Sequence, residues 1–108
     1  MHVKVTLPAS GTTLPRRLSR QQAKNETRRL AEAGHVSFTR HVLERGVERN
    51  ISTSQMLACL IKGDVVTDPW LSDKGHFRFD MARHRRGEEL TLAVALDVER
   101  DVVVITAY

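Results

Sequence analysis

At Gly63 the sequence changes its period, and that change decides the class of fold. Before it, apolar residues recur at helical spacing: Met56, Leu57, Leu60 and Ile61 in SQMLACLIKG. After it they alternate. In GHFRFDM, Phe77, Phe79 and Met81 fall on one side, with His76, Arg78 and Asp80 on the other. A helix repeats every 3.6 residues and a strand every two, so neither segment can stand in for the other. Helices followed by consecutive strands predict an α+β domain. Its N-terminal helices would pack on one face of a curved antiparallel sheet of about four strands.

The helical half carries its own punctuation. Ser19 and Gln22 have capping-box spacing, so a first helix is expected over 20–33, stopping at Gly34. Its apolar face is thin (Ala23, Leu30, Ala31, Ala33), which predicts light packing or a projecting arm. Thr39 is a plausible N-cap for a second helix reaching about Arg49, with Val42 and Leu43 turned inward. Gly46 in its middle either weakens it, by up to about 1 kcal/mol relative to Ala, or lets another backbone approach. Ser52 and Gln55 form a second capping box, with Ile51 and Met56 spaced as a hydrophobic staple. Cys59 in that third helix is expected to pack as a small hydrophobe.

Strands are expected at HVKVTL, ended by Pro8 and followed by the turn-rich PASGTTLP, and at DVVTDPW, broken by Pro69. Trp70 would cap the core or stack on a base, with the core reading favoured. ARHRRGEE reads as a polar hairpin connection, and a tight turn around Glu99, Arg100 and Asp101 joins LTLAVALDV to VVVITAY. LTLAVALDV is long and apolar, and an uncovered sheet edge would invite pairing across a homodimer.

At 108 residues the chain suffices for one domain with one core. No apolar run approaches the roughly 20 residues that span a bilayer. MHVKVTLPAS lacks the long apolar stretch of a signal peptide. The single Cys59 makes no intrachain disulfide. The expectation is a soluble cytoplasmic protein without a membrane partner. Charge is uneven: residues 1–50 hold ten Lys/Arg against four Asp/Glu, and residues 51–108 hold seven against nine. Arg16, Arg17, Arg20, Lys24, Arg28 and Arg29 crowd one segment against Glu26 alone. A basic half favours a polyanionic partner, RNA above all, although a solvated basic face fits the same charges.

Several sites of chemistry are missing. GxxxxGK[ST], GxGxxG and GxSxG do not occur, and neither do CxxC nor HExxH. No metal and no cofactor is expected. What remains is TRHVLERGVER, where His41, Arg45 and Arg49 recur every fourth residue and form one cationic stripe, drifting about 40° per step. RNA carries its own nucleophile, the 2′-OH. Cleavage needs a base, an acid and cations for the charge that builds on phosphorus, and His with Arg can supply them. The same stripe could equally grip nucleic acid passively or face water.

The run Thr39-x-His41-x3-Arg45-x3-Arg49-x-Ile51-Ser52 resembles the opening of a bacterial domain family of unknown function. In that family a short helix ending in Gly follows, then strands, then an apolar strand ending near Thr-x-Tyr. QMLACLIKG and VVVITAY occupy those places here. The resemblance covers about residues 36–108, which divides the single domain into a basic N-terminal strand-and-helix extension (1–34) and a core (35–108). Such domains are similar to metal-independent ribonuclease toxins of the barnase, EndoU, colicin and RelE (BECR) type. The resemblance implies a RelE-like fold with His41 as general base or acid and Arg45 as phosphate or transition-state donor. It further implies Thr106 and Tyr108 as polar groups at the end of the last strand. It also implies a cognate antitoxin or immunity protein covering the cationic cleft.

Arg49 sits about 80° around the helix from His41 and is expected to bind substrate rather than react. Arg28 and Arg29 would supply RNA affinity or dock an acidic antitoxin. Arg78 could present a cation across the sheet, though pairing with Asp80 or a neighbouring strand is favoured, and ARHRRG could grip phosphate or form a solvated hairpin tip. His84 reads as a surface residue. The alternative reading is a non-enzymatic nucleic-acid- or protein-binding module of phage or mobile-element origin, in which His41 matters no more than Arg20 or Arg28.

Overall fold

A computed structural model describes residues 17–85 and 87–106. The strand expected at HVKVTL, the linker after it, Arg16 and Tyr108 lie outside the described residues. The elements run α1 (Arg20–Glu32), β1 (Val36–Phe38), α2 (Arg40–Arg49), α3 (Thr53–Lys62), β2 (Asp64–Val65), β3 (Trp70–Leu71), β4 (His76–Arg85), β5 (Glu88–Asp97) and β6 (Val102–Thr106). This is the expected α+β class, with the helices ahead of strands β2–β6 and β1 set between α1 and α2.

The helix starts are made by the predicted caps. Ser19 accepts from the Gln22 amide while Gln22 returns a bond to the Ser19 amide, and Ser52 and Gln55 repeat the arrangement. Thr39 accepts from the Val42 amide at 3.2 Å. Asn50 ends α2 in the left-handed region, φ 57°, and its amide reaches back to the Gly46 and Val47 carbonyls.

The sheet departs from the expectation in two respects. It has six strands in the order β1-β6-β5-β4-β2, with β3 also on β4, and its β1–β6 pair is parallel. β1 is only three residues long, too short to show a period, and it exists because β6 offers it an edge. DVVTDPW divides into β2 and β3, which pair with different parts of β4. Between them the chain pulls away from β4, since Pro69 has no N–H to give the ladder. The Thr67 hydroxyl fills in by accepting from the Asp80 amide at 2.8 Å.

The β4–β5 hairpin is also longer than expected. ARHRRGEE is not a loop: β4 runs to Arg85, which pairs with Glu88, and Gly87 at φ 81° permits the tight connection. Residues 83, 84, 85, 88 and 89 are therefore ladder positions with defined faces.

All three helices supply the same core. Phe77, Met81, Leu60, Val94, Val103 and Ile105 are almost fully buried, each contributing on the order of 1.5–3 kcal/mol of hydrophobic stabilisation. α1 is not a loose arm. Ala23, Thr27 and Leu30 are buried, and α1 packs against α3 and β6. Arg20 pairs with Asp68 at 2.7 Å and Lys24 with Asp64 at 2.5 Å, so acidic residues after Gly63 neutralise α1. Leu43 and Trp70, both expected inside, are 42% and 58% exposed. Trp70 pairs with Arg78, whose side is opposite to that of the buried Phe77 and Phe79.

Candidate functional site

α2 is moored at its start. The Thr39 amide donates to the Ile105 carbonyl at 3.2 Å, so the helix begins where β6 is about to end. β6 is described as far as Thr106, opposite Ala93, while β5 extends back to Glu88. α2 therefore stands beside residues 89–92 of β5, and a cleft of about 270 Å³ opens between them. Arg45, Arg49, Val42, Gly46, Ile51 and Met56 line its helical side. Glu89, Leu90, Thr91, Leu92 and Thr106 line its sheet side.

Three residues singled out from the sequence thus meet: Arg45, Arg49 and Thr106. The arginines are one turn apart, about 6 Å along the helix axis. The Thr106 hydroxyl donates to the Ala93 carbonyl at 3.2 Å, which fixes its rotamer and leaves its lone pairs to accept. Glu89 belongs to the same cleft and was not anticipated. One of its oxygens lies 3.1 Å from His84 Nδ1, and the other accepts from the Thr91 hydroxyl at 3.4 Å. His84 is thus a surface residue with a specific partner.

The cleft continues into a larger groove of about 560 Å³. The two share Arg49, Ile51, Glu89 and Leu90, and the groove adds Asn50, Gln55, Arg83, Arg85 and Glu88. Arg83 and Arg85 come from the segment read as a hairpin tip. Once the ladder extends through it, both fall on the side of β4 that carries Met81.

Other predicted residues are elsewhere. His41 is exposed on the first turn of α2 and lines neither the cleft nor the groove. Arg78 lies across the sheet, in a shallow depression with Trp70, Thr67 and Asp80. Arg28 donates to the Ile61 carbonyl at 3.0 Å. Arg29 bridges the buried Glu26 and, at 2.7 Å, Asp101. Both are engaged within the protein. Tyr108 lies outside the described residues.

Among the described residues, three groups titrate away from their ordinary values. Burial pushes the Cys59 thiol up to about 11, against an opposing pull from the Arg83 charge. The Glu26 hydrogen bond, opposed by burial and aided by Asp101, raises Arg29. Burial would raise Asp97, but bonds from the Arg100 side chain and amide, with the charge of His76, outweigh it and hold the carboxyl low. Among the described residues, no group of three or more His, Cys, Asp or Glu could hold a metal ion. No helix among them is long and apolar enough to cross a membrane.

A search of curated proteins found no match to the chain. A family match does run over residues 38–108, from the last residue of β1 to Tyr108, and takes in every residue that lines the cleft and groove. The chain therefore belongs to the family described as Domain of unknown function (DUF4258).

Proposed function

We propose that the protein is a metal-independent endoribonuclease of toxin type. One observation carries the reading: Arg45, Arg49, Thr106 and Glu89 converge on a single cleft from a helix and a sheet far apart in sequence. Two cations beside a carboxylate supply the charge stabilisation and one of the two proton carriers that 2′-OH attack on a phosphodiester needs. A base takes the 2′-OH proton, the 2′ oxygen bonds to phosphorus, and the bond to the 5′ oxygen breaks as that oxygen accepts a proton. The products are a 2′,3′-cyclic phosphate and a 5′-OH. Arg45 and Arg49 hold the phosphoryl oxygens and stabilise the charge that builds there. Glu89 is the proton carrier inside the cleft, and His41, exposed on the first turn of the same helix and outside the cleft lining, is the second where the bound strand brings the reacting oxygen to it. On this reading the protein resembles toxins of the barnase, EndoU, colicin and RelE type, and the resemblance implies a neutralising antitoxin that would cover the cleft.

Purified protein is expected to cut an RNA pool in EDTA, leaving cyclic phosphate ends. Arg45→Ala, Glu89→Gln and His41→Ala are each expected to lower the rate by at least tenfold, since acid–base groups are commonly worth about 10²–10⁴. Intact RNA after prolonged incubation with folded wild type would end the catalytic reading.

The position of His41 outside the cleft lining favours a second reading, a nucleic-acid-binding module without catalysis. It predicts salt-sensitive RNA binding, no cleavage, and no special effect of His41→Ala.

A further inference from the structure

We propose that the groove bounded by Arg49, Arg83 and Arg85 holds the phosphodiester backbone of single-stranded RNA where it enters the Arg45–Arg49 cleft. The proposal rests on the reading of that cleft as the RNA site. Continuity is the first argument, because Arg49, Ile51, Glu89 and Leu90 line both spaces and a strand leaving one passes into the other.

The second argument is the distribution of counter-ions. Arg20, Lys24, Arg29 and Arg100 each pair with a carboxylate. Among the described residues, Arg49, Arg83 and Arg85 pair with none, and they outnumber the two carboxylates, Glu88 and Glu89, that line the same groove. Arg83 is the telling case. It is half-buried beside α3, close enough for its charge to act on Cys59, and it still has no carboxylate within ion-pair distance among the described residues. A partly desolvated guanidinium costs free energy unless an anion meets it.

The third argument is shape. Arg83 and Arg85 share one side of β4 about 7 Å apart, a spacing suited to successive phosphates of an extended strand. A guanidinium fork matches two phosphate oxygens at once. Among the described residues no aromatic side chain lines the groove, so the contacts they offer are to the backbone and indifferent to sequence. In-line attack by a 2′-OH also needs a strand released from A-form stacking. Glu88, opposite Arg85 in the ladder, opposes the anion and limits affinity.

The experiment is anisotropy titration of a labelled, fully 2′-O-methylated oligoribonucleotide, which cannot be cleaved, over a range of salt. Each phosphate contact on a single strand adds about 0.7 to the slope of log affinity against log salt. The double variant Arg83→Gln/Arg85→Gln is expected to lower that slope by about 1.4 while keeping its circular dichroism spectrum. Arg83→Lys/Arg85→Lys is expected to retain most of the slope, Glu88→Gln to tighten binding, and Lys62→Gln, on an exposed turn of α3, to change nothing. An unchanged slope in the Gln variant, an equal loss in Lys62→Gln, or no binding by wild type would overturn the proposal. If RNA remains uncut but the slope falls as expected, the groove stands and only the cleavage reading fails. If RNA is cut and the slope is unmoved, the reverse holds.

Discussion

The Ile51 amide donates to the Gly46 carbonyl at 2.8 Å, and a Cβ built on Gly46 would lie 2.7 Å from the Ile51 carbonyl oxygen. The chain leaving α2 folds back against that helix at the one residue without a side chain. Met56 closes from the other side, 2.9 Å from the same Cβ position. Of the two roles open to Gly46, close approach is the one adopted. Gly46→Ala is therefore expected to destabilise the fold by about 1–3 kcal/mol, the usual cost of overpacking. That exceeds the gain of up to about 1 kcal/mol in helix propensity. Urea denaturation measures the sign, and a more stable Ala variant would refute the contact.

Arg29 holds Glu26 and Asp101 together, and Glu26 is 6% exposed with its second carboxylate oxygen unpartnered among the described residues. Arg29→Ala would strand a buried charge. The expected loss is roughly 2–3 kcal/mol, toward the low end for broken buried pairs because Arg29 is partly exposed. Thermal melting should show it, while the salt slope of oligonucleotide binding stays at the wild-type value. A fall in that slope with no loss of stability would return Arg29 to the RNA-binding surface.

Asp97 sets a pH dependence whose sign follows from its lowered pKa. The stabilisation it provides is complete above its ordinary carboxylate value of 3.8 and is lost as pH falls through the lower folded value. Asp97→Asn should then be less stable than wild type at pH 7, with the gap closing below about pH 3.8. Urea midpoints at pH 7, 4 and 2.5 test this. A gap that stays constant across that range would place the loss in packing instead of charge.

Cys59 is buried and its thiol is pushed up to about 11. At pH 8 it should resist an aromatic disulfide reagent in the native protein and react at once in denaturant. Native labelling at the rate of a free thiol would mean that α3 opens readily from the sheet.

Local chemistry was legible along the chain. Ser19 and Gln22, Thr39, and Ser52 and Gln55 cap helices because a cap needs only residues three apart. Phe77, Phe79 and Met81 face the core because alternation is a property of the strand itself. The misreadings share a different cause. ARHRRGEE looked like a loop since polar residues hide a period, and only the pairing of residues 82–85 with 88–91 makes it strand. α1 looked too polar to pack, yet Asp64, Asp68 and Asp101 meet its cations and let its small residues close on the core. The candidate site was half legible: Arg45 and Arg49 follow from helical spacing and Arg83 and Arg85 from the basic run ARHRRG, whereas Glu89 carries no local signal and the joining of these groups in one place is tertiary.

By itself, then, the sequence determined the class of fold, the ends of three helices and the stripe on α2, all consequences of contacts within about four residues. The tertiary structure decided the rest. It paired three residues of β1 in parallel with β6, and it spent the cations of α1 on acidic residues beyond Gly63. It also set Arg45 and Arg49 against Thr106, Glu89, Arg83 and Arg85. Which charges meet a partner and which stay open to a ligand depends on contacts between residues tens of positions apart, and only the packed sheet brings those together.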